Sequence, residues 1–299
     1  MSAWRAALAA LIMLAFGGCA FAQPLFASRH LPAGEQRLPA LFRDALVQPA
    51  RYRVVVIPGS GCAGMAPIAD RYFAGLLHAS VLVLHKPGVD VAAWPAPPRC
   101  SAGFVQQDDL AEWQQLAAKA LRQQLAQASS DLPVVLVGIS EGAELLPALA
   151  RELPEVKALV IISHAGLDPA ELAGLQAERL GASAAWQKVQ TAVASERPDS
   201  VVMQGRSLRY WRSLLSWRLQ QPLLASPLPL LQAWGEHDAL LPPDAYLGFA
   251  KAAQQRAAPY CALAIPGADH GLQTDAGDQL PLVWARLELR AKGLDWCVH

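Results

Sequence analysis

The feature of this sequence that most restricts its fold is a series of short, unbroken apolar runs separated by helical patterns. The runs occupy residues 53–57, 81–84, 134–137, 158–162, 228–233 and 262–265. Parallel strands that are covered on both faces have this continuous apolar character, and helices of the intervening length are typical of their crossover connections. The pattern therefore predicts one α/β domain with a mostly parallel, doubly wound sheet.

One long segment interrupts this alternation. Residues 167–226 contain no convincing strand, and their periodicity is helical. We therefore predict a core made of residues 23–166 and 227–299, with a helical cap inserted between the two parts. Loops at the carboxyl ends of parallel strands border the crevice where ligands bind. The aromatic residues Trp211 and Trp217 of the insertion are accordingly predicted to line a substrate pocket.

The first 22 residues are predicted to be a signal peptide. Arg5 precedes an apolar run, and Ala20-Phe21-Ala22 fits the small-x-small pattern of a cleavage site. The alternative is a bacterial lipoprotein signal in which Cys19 is lipidated, although Phe16 stands three residues before it, where Leu is usual. Both interpretations predict export, to the periplasm or out of the cell.

The composition excludes several classes of protein. Hydrophobic residues make up 53% of the chain and charged residues 17%, which is far from the composition of a disordered protein. The 25 basic residues balance 25 acidic ones, so no long-range field steers the chain toward phosphate groups. Nucleic acid is therefore not expected as a partner.

A motif typical of serine nucleophiles directly follows the third apolar run. The segment reads Gly138-Ile139-Ser140-Glu141-Gly142, which matches G-x-S-x-G, and a helical pattern comes after it. A strand, a sharp turn and a helix are the setting that a nucleophile elbow requires. Glycines on either side of the serine permit close approach of the backbone. Ser140 is therefore the predicted nucleophile.

Two later segments supply the groups that a serine nucleophile needs. A serine hydroxyl is weakly nucleophilic at its own pKa, so a base and an orienting acid must accompany it. Asp238 lies just past the run at 228–233, and His270 lies just past the run at 262–265. The order Ser, Asp, His is that of the α/β hydrolases. Asp168, which follows the run at 158–162, is the alternative to Asp238.

These three segments together carry a family resemblance. In the one-letter code they read GISEG, WGEHDALLPP and IPGADHG, in that order and each after a strand. On these motifs the chain resembles the α/β-hydrolase superfamily over essentially all of its mature length. The resemblance implies the α/β-hydrolase fold, with Ser140 as nucleophile, His270 as general base and then acid, and Asp238 as the residue that orients the imidazole.

An oxyanion requires two backbone N–H donors. One is expected from Glu141, directly after the nucleophile, and the other from the first strand–helix loop, at Ser60 or Gly61. That loop begins Pro58-Gly59 where many family members have His-Gly, so the choice between Ser60 and Gly61 stays open. The side chains of Glu141 and Glu144 are interpreted as complementing the helix dipole, with substrate contact as the alternative.

Four cysteines remain after the signal peptide, an even number in a compartment that permits disulfides. The expected fold brings Cys62 near Cys100 and Cys261 near Cys297, and these pairings are favoured. The other two connectivities and four free thiols are the alternatives.

The sequence as a whole predicts an exported, carboxylesterase-like serine hydrolase that cleaves a carboxylic ester or thioester through an acyl-enzyme. Its partner is a small-molecule acyl substrate. No cofactor or metal is predicted, because neither an HExxH motif nor an EF-hand loop occurs. The alternatives are an aminopeptidase-like amide hydrolase, an acyltransferase, or a non-catalytic envelope protein that binds ligands on the same fold.

Overall fold

The computed structural model describes residues 24–94, 100–128 and 131–297. The predicted signal peptide at 1–22 and its alternative lipidation site, Cys19, lie outside these ranges. Within them, each helix is too short or too polar to cross a membrane.

Short strands alternate with helices along the chain. The strands are β1 Ala27–Ala33, β2 Gln36–Arg43, β3 Tyr52–Ile57, β4 Ala79–Leu84, β5 Val134–Ile139, β6 Val156–Ile162, β7 Val202–Met203, β8 Arg206–Ser207, β9 Leu230–Gly235, β10 Tyr260–Ile265, β11 Gln273–Thr274 and β12 Gly277–Asp278. The α-helices are α1 Ala66–Tyr72, α2 Ala102–Gln107, α3 Leu110–Ala126, α4 Leu146–Glu152, α5 Pro169–Arg179, α6 Ser183–Val193, α7 Leu208–Ser216, α8 Gln220–Ala225, α9 Pro243–Ala253 and α10 Leu280–Ala291.

Eight of these strands form one sheet in the order β1-β2-β4-β3-β5-β6-β9-β10. The neighbouring strands of this sheet pair in parallel along β4-β3-β5-β6-β9-β10. At one edge, β1 and β2 form an antiparallel hairpin, and β2 pairs antiparallel with β4. The sequence prediction of a mostly parallel, doubly wound sheet is therefore confirmed. Because the parallel strands all end at the same edge, the loops that follow β3, β5, β6, β9 and β10 share that edge.

Two apolar cores cover the two faces of this sheet. Along β3, Val55 and Ile57 face one core, and Val54 and Val56 face the other, as the two-residue period of a strand dictates. Helices α3, α4 and α9 pack on the first face, and α1 and α10 pack on the second. Burial on both faces accounts for the continuous apolar runs of the sequence.

The insertion between β6 and β9 contains the four helices α5 to α8 and the two-residue strands β7 and β8, which pair with each other. Leu172, Tyr210, Leu214 and Leu223 of this segment belong to the same apolar core as α3 and α4. The insertion therefore packs on the core rather than standing apart from it.

One predicted helix begins later than its pattern indicates. The helical pattern at 107–127 predicts a single helix, and the structure has that helix as α3, which begins at Leu110 and is separated by Asp108 and Asp109 from the additional short helix α2. The Asp109 side chain accepts the backbone N–H of Glu112 at 2.8 Å and caps α3. The backbone at Asp108 is extended, and its side chain turns to Lys86 and Arg206.

One of the two predicted disulfides is present. Cys62 bonds to Cys100 and joins the loop after β3 to the start of α2. The predicted Cys261–Cys297 bridge is wrong, since both residues are free thiols in the described part of the chain. The two thiols contact each other without a bond, and their sulfurs also contact backbone carbonyls, Cys261 that of Trp296 at 3.6 Å and Cys297 that of Tyr260 at 3.7 Å.

Candidate active site

A strained turn at the end of β5 holds Ser140. Its φ of +49° lies in the left-handed region, which a residue other than glycine rarely adopts. A side chain at Gly142 would collide with the Ile57 carbonyl of β3 at 2.0 Å, and one at Gly138 would collide with the Ala143 backbone. Neither position has room for a side chain, so both must be glycine. The segment that follows begins as a 3-10 helix over residues 140–145 and becomes α4 only at Leu146.

Ser140, His270 and Asp238 form one hydrogen-bonded chain. The distance from Ser140 Oγ to His270 Nε2 is 3.3 Å, and that from His270 Nδ1 to Asp238 Oδ2 is 2.7 Å. These residues come from loops after three different parallel strands, β5, β9 and β10. The Asp238 side chain is 1% exposed and the His270 side chain 25% exposed, so the chain runs from the interior toward the serine.

Every acceptor position of Asp238 is used. Its Oδ1 accepts the backbone N–H groups of Leu240 at 2.7 Å and Leu241 at 3.1 Å, and its Oδ2 accepts the Tyr246 hydroxyl at 2.6 Å as well as His270. Burial raises the pKa of Asp238, but the hydrogen bonds from His270 and Tyr246 outweigh burial and lower that pKa below its usual value. An ionised Asp238 accepts a hydrogen bond from the Nδ1–H group of His270, which leaves Nε2 free of a proton and able to accept from the serine hydroxyl.

The backbone around His270 is fixed by a second strand end. Ser163, which follows β6 directly, donates its hydroxyl to the His270 carbonyl at 2.6 Å. Ser163 is buried and has a φ of +55°, so this contact is held in a strained conformation. The loop that carries the imidazole is thereby attached to the centre of the sheet.

The loop after β3 approaches the serine from the other side. A side chain at Gly59 would lie 3.3 Å from Ser140 Cβ, which shows how closely the two loops pack. Ser60 lines the same cavity as Ser140 and Glu141. Gly61 has a φ of +88° and leads to the disulfide at Cys62. Of the two predicted N–H donors in this loop, Ser60 is thus the one that borders the cavity.

A buried ionic network surrounds the Glu141 side chain. Lys86 Nζ contacts Glu141 Oε1 at 2.6 Å and Asp108 Oδ1 at 2.7 Å, and Arg206 Nη1 contacts Asp108 Oδ2 at 2.6 Å. The Tyr210 hydroxyl donates to Glu141 Oε2. Two cations thus neutralise two carboxylates. The network joins the core, at Lys86, Asp108 and Glu141, to the insertion, at Arg206 and Tyr210.

The electrostatics of this network favour the charged forms of Lys86 and Glu141, whereas burial and the neighbouring Glu141 raise the pKa of Asp108 above its usual value. Burial lowers the pKa of Lys86, but Glu141 and Asp108 outweigh burial, and the pKa is raised above its usual value. Burial raises the pKa of Glu141, but Lys86 and Arg206 reverse this and lower it. Burial and the neighbouring Glu141 raise the pKa of Tyr210 well above 10, so its phenol donates as a neutral group.

A second buried pair lies one turn beyond the serine. Glu144 Oε1 lies 3.1 Å from His164 Nε2, and the side chains are 3% and 2% exposed. The Gly166 N–H donates to His164 Nδ1 at 2.9 Å. Glu144 Oε2 is buried and has no hydrogen-bond partner among the described residues. Burial raises the pKa of Glu144 more than His164 lowers it.

These groups border a cavity of about 170 Å³ next to Ser140 and His270. Its apolar wall comes from the insertion and from the loop after β9, through residues that include Leu172, Leu214, Leu240 and Leu241. On α7 it is Tyr210 and Leu214, one helical turn apart, that face the cavity.

The structure corrects the predicted pocket residues. Trp211 does not line the cavity, because its ring packs against Trp186 and Tyr210 and its indole N–H donates to the Met203 carbonyl at 3.0 Å. Trp217 lies beneath the wall and donates to the Glu144 carbonyl at 2.8 Å. The insertion does border the cavity, but through the face of α7 that carries Tyr210 and Leu214.

Asp168, the alternative acid, has another task. Its Oδ1 accepts the backbone N–H groups of Leu219 at 2.8 Å and Gln220 at 2.9 Å, at the start of α8, and its Oδ2 pairs with Arg218 at 3.1 Å. These contacts tie the two ends of the insertion together. Asp238, and not Asp168, is the carboxylate next to His270.

Sequence reasoning missed Lys86, Asp108, Arg206, Tyr246 and the contact between Glu144 and His164. The partners in each of these contacts lie 8 to 98 residues apart, and no motif surrounds them. The one usable signal was Lys86, a charged residue two positions after the end of an apolar strand, where parallel strands place functional side chains.

Solved structures share this architecture. Est1E from Butyrivibrio proteoclasticus matches with a TM-score of 0.60 at 15% identity, over 89% of this chain and 99% of that chain. The esterase domain of a Rhodothermus marinus protein matches with 0.57 at 17% identity, over 90% and 98%. A putative α/β hydrolase from Agrobacterium tumefaciens matches with 0.53 at 14% identity, over 90% and 97%.

The fold of this chain is therefore the α/β-hydrolase fold, as the sequence motifs predicted. No protein-family model matches the chain, and no curated protein sequence matches it significantly. Sequence identities of 14–17% to these structures support the assignment of the fold alone. The chemistry must be argued from the geometry around Ser140.

Proposed function

We propose that the protein is a serine hydrolase that cleaves a carboxylic ester or thioester through an acyl-enzyme. The observation that carries this proposal is the continuous chain from Ser140 Oγ through His270 to Asp238, which opens into a cavity at the serine. A nucleophile, a base and an orienting acid at hydrogen-bond distances are the arrangement that acyl transfer requires.

In the acylation step, His270 Nε2 removes the Ser140 proton as Oγ attacks the acyl carbon. The backbone N–H groups of Glu141 and Ser60 are the proposed donors to the resulting oxyanion, because both residues border the cavity beside the serine. Ionised Asp238 stabilises the imidazolium, which then protonates the departing alcohol or thiol.

In the deacylation step, His270 activates a water molecule that attacks the acyl-enzyme and regenerates Ser140. The apolar wall formed by Leu172, Leu214, Leu240 and Leu241 would receive a modestly sized acyl group. The segment 167–226 is proposed to act as a cap, since α5 and α7 supply part of that wall.

The Cys62–Cys100 bond supports the proposal that the protein works outside the cytoplasm. Disulfides persist in oxidising compartments and are rare where thiols are kept reduced. The bond also braces the loop of Ser60 against the start of α2, where Phe104 packs on Cys62.

A fluorophosphonate probe tests the proposal directly, because it reacts only with an activated serine. The protein should be labelled on Ser140, as located by peptide mass spectrometry, and should hydrolyse short nitrophenyl esters. Ser140→Ala should abolish labelling and lower ester hydrolysis by several orders of magnitude. A matched control is Ser28→Ala, which removes an exposed hydroxyl on β1, at the edge of the sheet, and should still be labelled.

Absence of labelling together with absence of turnover would instead identify a ligand-binding protein on a hydrolase fold. Faster cleavage of amino-acid amides than of esters would redirect the assignment toward a peptidase.

A further inference from the structure

The last residue of helix α5 reaches from the insertion to residues 238–241, which we call the acid loop because it begins at Asp238. Arg179 Nη2 donates to the Asp238 carbonyl at 2.8 Å, and Arg179 Nε donates to the Ala239 carbonyl at 3.2 Å. The guanidinium group carries several donors in one rigid plane, so it can bind two successive carbonyls at once. The insertion is thereby attached directly to the backbone of the acid.

The Ala239 carbonyl belongs to the same peptide group that holds the Asp238 carboxylate. The C=O of Ala239 and the N–H of Leu240 are parts of one planar unit and point in opposite directions. The carbonyl accepts from Arg179, and the N–H donates to Asp238 Oδ1 at 2.7 Å. The contact with Arg179 therefore fixes the direction of this N–H. It also polarises the peptide group, which strengthens the N–H as a donor.

This support differs from the other contacts of the acid. The carboxylate itself receives hydrogen bonds from four donors of the core, namely the N–H groups of Leu240 and Leu241, the Tyr246 hydroxyl and His270. The N–H of Leu240 makes the shorter of the two backbone contacts to Oδ1. Arg179 stands behind this shorter contact and acts from the insertion, through the backbone.

Helix α5 also covers the cavity beside Ser140. The residues of α5 that line the cavity recur at spacings of three and four and therefore share one face of the helix: Pro169, Leu172, Ala173 and Gln176. Arg179 follows at the end of α5, and the acid loop contributes Leu240 and Leu241 to the same cavity. The helix that covers the cavity is thus also the helix that ends on the acid loop.

We infer that Arg179 is a positioning residue for the proposed reaction, which holds the acid loop so that Asp238 presents Oδ2 to His270. This inference rests on the proposed function, since it assigns a role within the proposed triad. Arg179 is exposed and does not line the cavity. Loss of its donors should therefore lower kcat, through Asp238, more than it changes KM.

The first test measures hydrolysis of a short nitrophenyl ester by two variants of Arg179. Arg179→Met keeps the apolar stem and removes the donors, so kcat should fall about tenfold, the lower end of what a hydrogen bond from a charged group contributes. KM should change by less than about twofold. Arg179→Lys keeps the charge and one donor group, and it should recover part of the loss. A wild-type kcat in Arg179→Met would overturn the inference, as would a Lys variant no better than the Met variant.

Arg218 provides the matched control, because it is a second arginine that holds the insertion in place. Its Nη1 pairs with Asp168 Oδ2 at 3.1 Å, and its side chain is 71% exposed. Arg218→Met should keep the wild-type kcat. An equal fall in Arg218→Met and Arg179→Met would assign the effect to attachment of the insertion in general and not to the acid loop.

A double-variant cycle tests whether Arg179 acts through Asp238. In Asp238→Ala no carboxylate is left to be oriented, so the addition of Arg179→Met should lower the remaining kcat by less than about twofold. Two residues that act independently would instead show the full tenfold fall in both backgrounds. That result would contradict a positioning role.

Proton NMR separates this inference from the proposed function, because it needs no turnover. The proton on His270 Nδ1, which lies 2.7 Å from Asp238 Oδ2, is observed as a downfield resonance that His270→Ala removes. It should shift or broaden in Arg179→Met and stay unchanged in Arg218→Met. This result would support the positioning role even if the wild type fails to react with a fluorophosphonate. An unchanged resonance in Arg179→Met, with normal labelling of the wild type, would remove the positioning role and leave the hydrolase.

Discussion

Two sets of hydrogen-bonded side chains begin at adjacent residues of the nucleophile turn, Ser140 and Glu141. They differ in which parts of the molecule they connect and in whether they reach the cavity. The chain from Ser140 through His270 to Asp238 lies entirely on loops of the core sheet and opens into the cavity. The network around Glu141 crosses from the core to the insertion, and each of its charges faces an opposite charge. The imidazole of His270 reaches the cavity and can therefore exchange protons with a substrate. The charges around Glu141 are all paired within the protein, so they can hold the insertion to the core.

The largest effect is expected from a change of the acid that orients His270. Asp238→Asn should lower kcat by about four orders of magnitude, because the amide favours the wrong imidazole tautomer. The free energy of unfolding should change far less than kcat. Ester hydrolysis and urea unfolding measured on the same preparation check both expectations.

Asp168→Asn is the matched control for this change. It should leave kcat near the wild-type value and weaken only the cap of α8. The reverse pattern, with loss in Asp168→Asn and retention in Asp238→Asn, would transfer the role of acid to Asp168.

The second test concerns the network. Lys86→Met leaves Asp108 and Glu141 buried with one cation fewer, which should lower the free energy of unfolding by about 3–5 kcal/mol in urea titrations. Lys251→Met, at an exposed position on α9, should change it by less than about 0.5 kcal/mol. A similarly small change in Lys86→Met would show that the network does not hold the insertion.

The same network sets a pH dependence. The pKa of folded Lys86 is raised above its ordinary value of 10.5, so its stabilisation is fully present below pH 10.5. It is lost as the pH rises through the raised value. The difference in unfolding free energy between wild type and Lys86→Met should therefore be constant near neutral pH. It should shrink in strong alkali, where Lys86 loses its proton, and in acid, where Glu141, whose pKa Lys86 lowers, gains one.

The third test concerns the Cys62–Cys100 disulfide. Replacing Cys62 and Cys100 with Ser should lower the free energy of unfolding by at most about 4 kcal/mol, because the bond closes a loop with a sequence separation of 38. Unfolded protein without residues 1–22 should take up two alkyl groups before reduction and four afterwards. No uptake before reduction would mean that Cys261 and Cys297 pair after all.

The smallest expected effect is that of Tyr246→Phe. This change removes one of the four hydrogen bonds to Asp238 and leaves the stacked ring on Trp234 in place. Ester hydrolysis should fall about tenfold, and stability should fall by about 1–2 kcal/mol. Tyr260→Phe, which loses a hydroxyl contact to Gln232 away from the cavity, should keep its activity.

The sequence predicted best what depends on chain order. Strands buried on both faces produce apolar runs, and the residues just past them gather at one edge of the sheet, so Ser140, Asp238 and His270 were accessible to reasoning from pattern alone. The glycines of the nucleophile turn were also predictable from the sequence, because this turn leaves no space for a side chain at Gly138 or Gly142.

The sequence predicted least well what depends on pairing across the fold. Lys86, Asp108 and Arg206 meet because three separate elements pack together, and no local spacing records that event. The late start of the helix predicted at 107–127 has the same cause, since Asp108 contacts Lys86 and Arg206 of the network and is not part of a helix. On α7, periodicity alone could not distinguish the face of Trp211 from the face of Tyr210 that borders the cavity.

Glu141 joins two parts of the molecule that protein engineers usually treat separately. Its backbone belongs to the nucleophile turn, and its carboxylate is bound by Tyr210 of the insertion. A foreign segment grafted in place of residues 167–226 would remove Tyr210 and Arg206 and leave Asp108 and Glu141 facing Lys86 alone. Chimaeras of this protein should therefore carry Arg206 and Tyr210 along, or exchange Lys86, Asp108 and Glu141 at the same time.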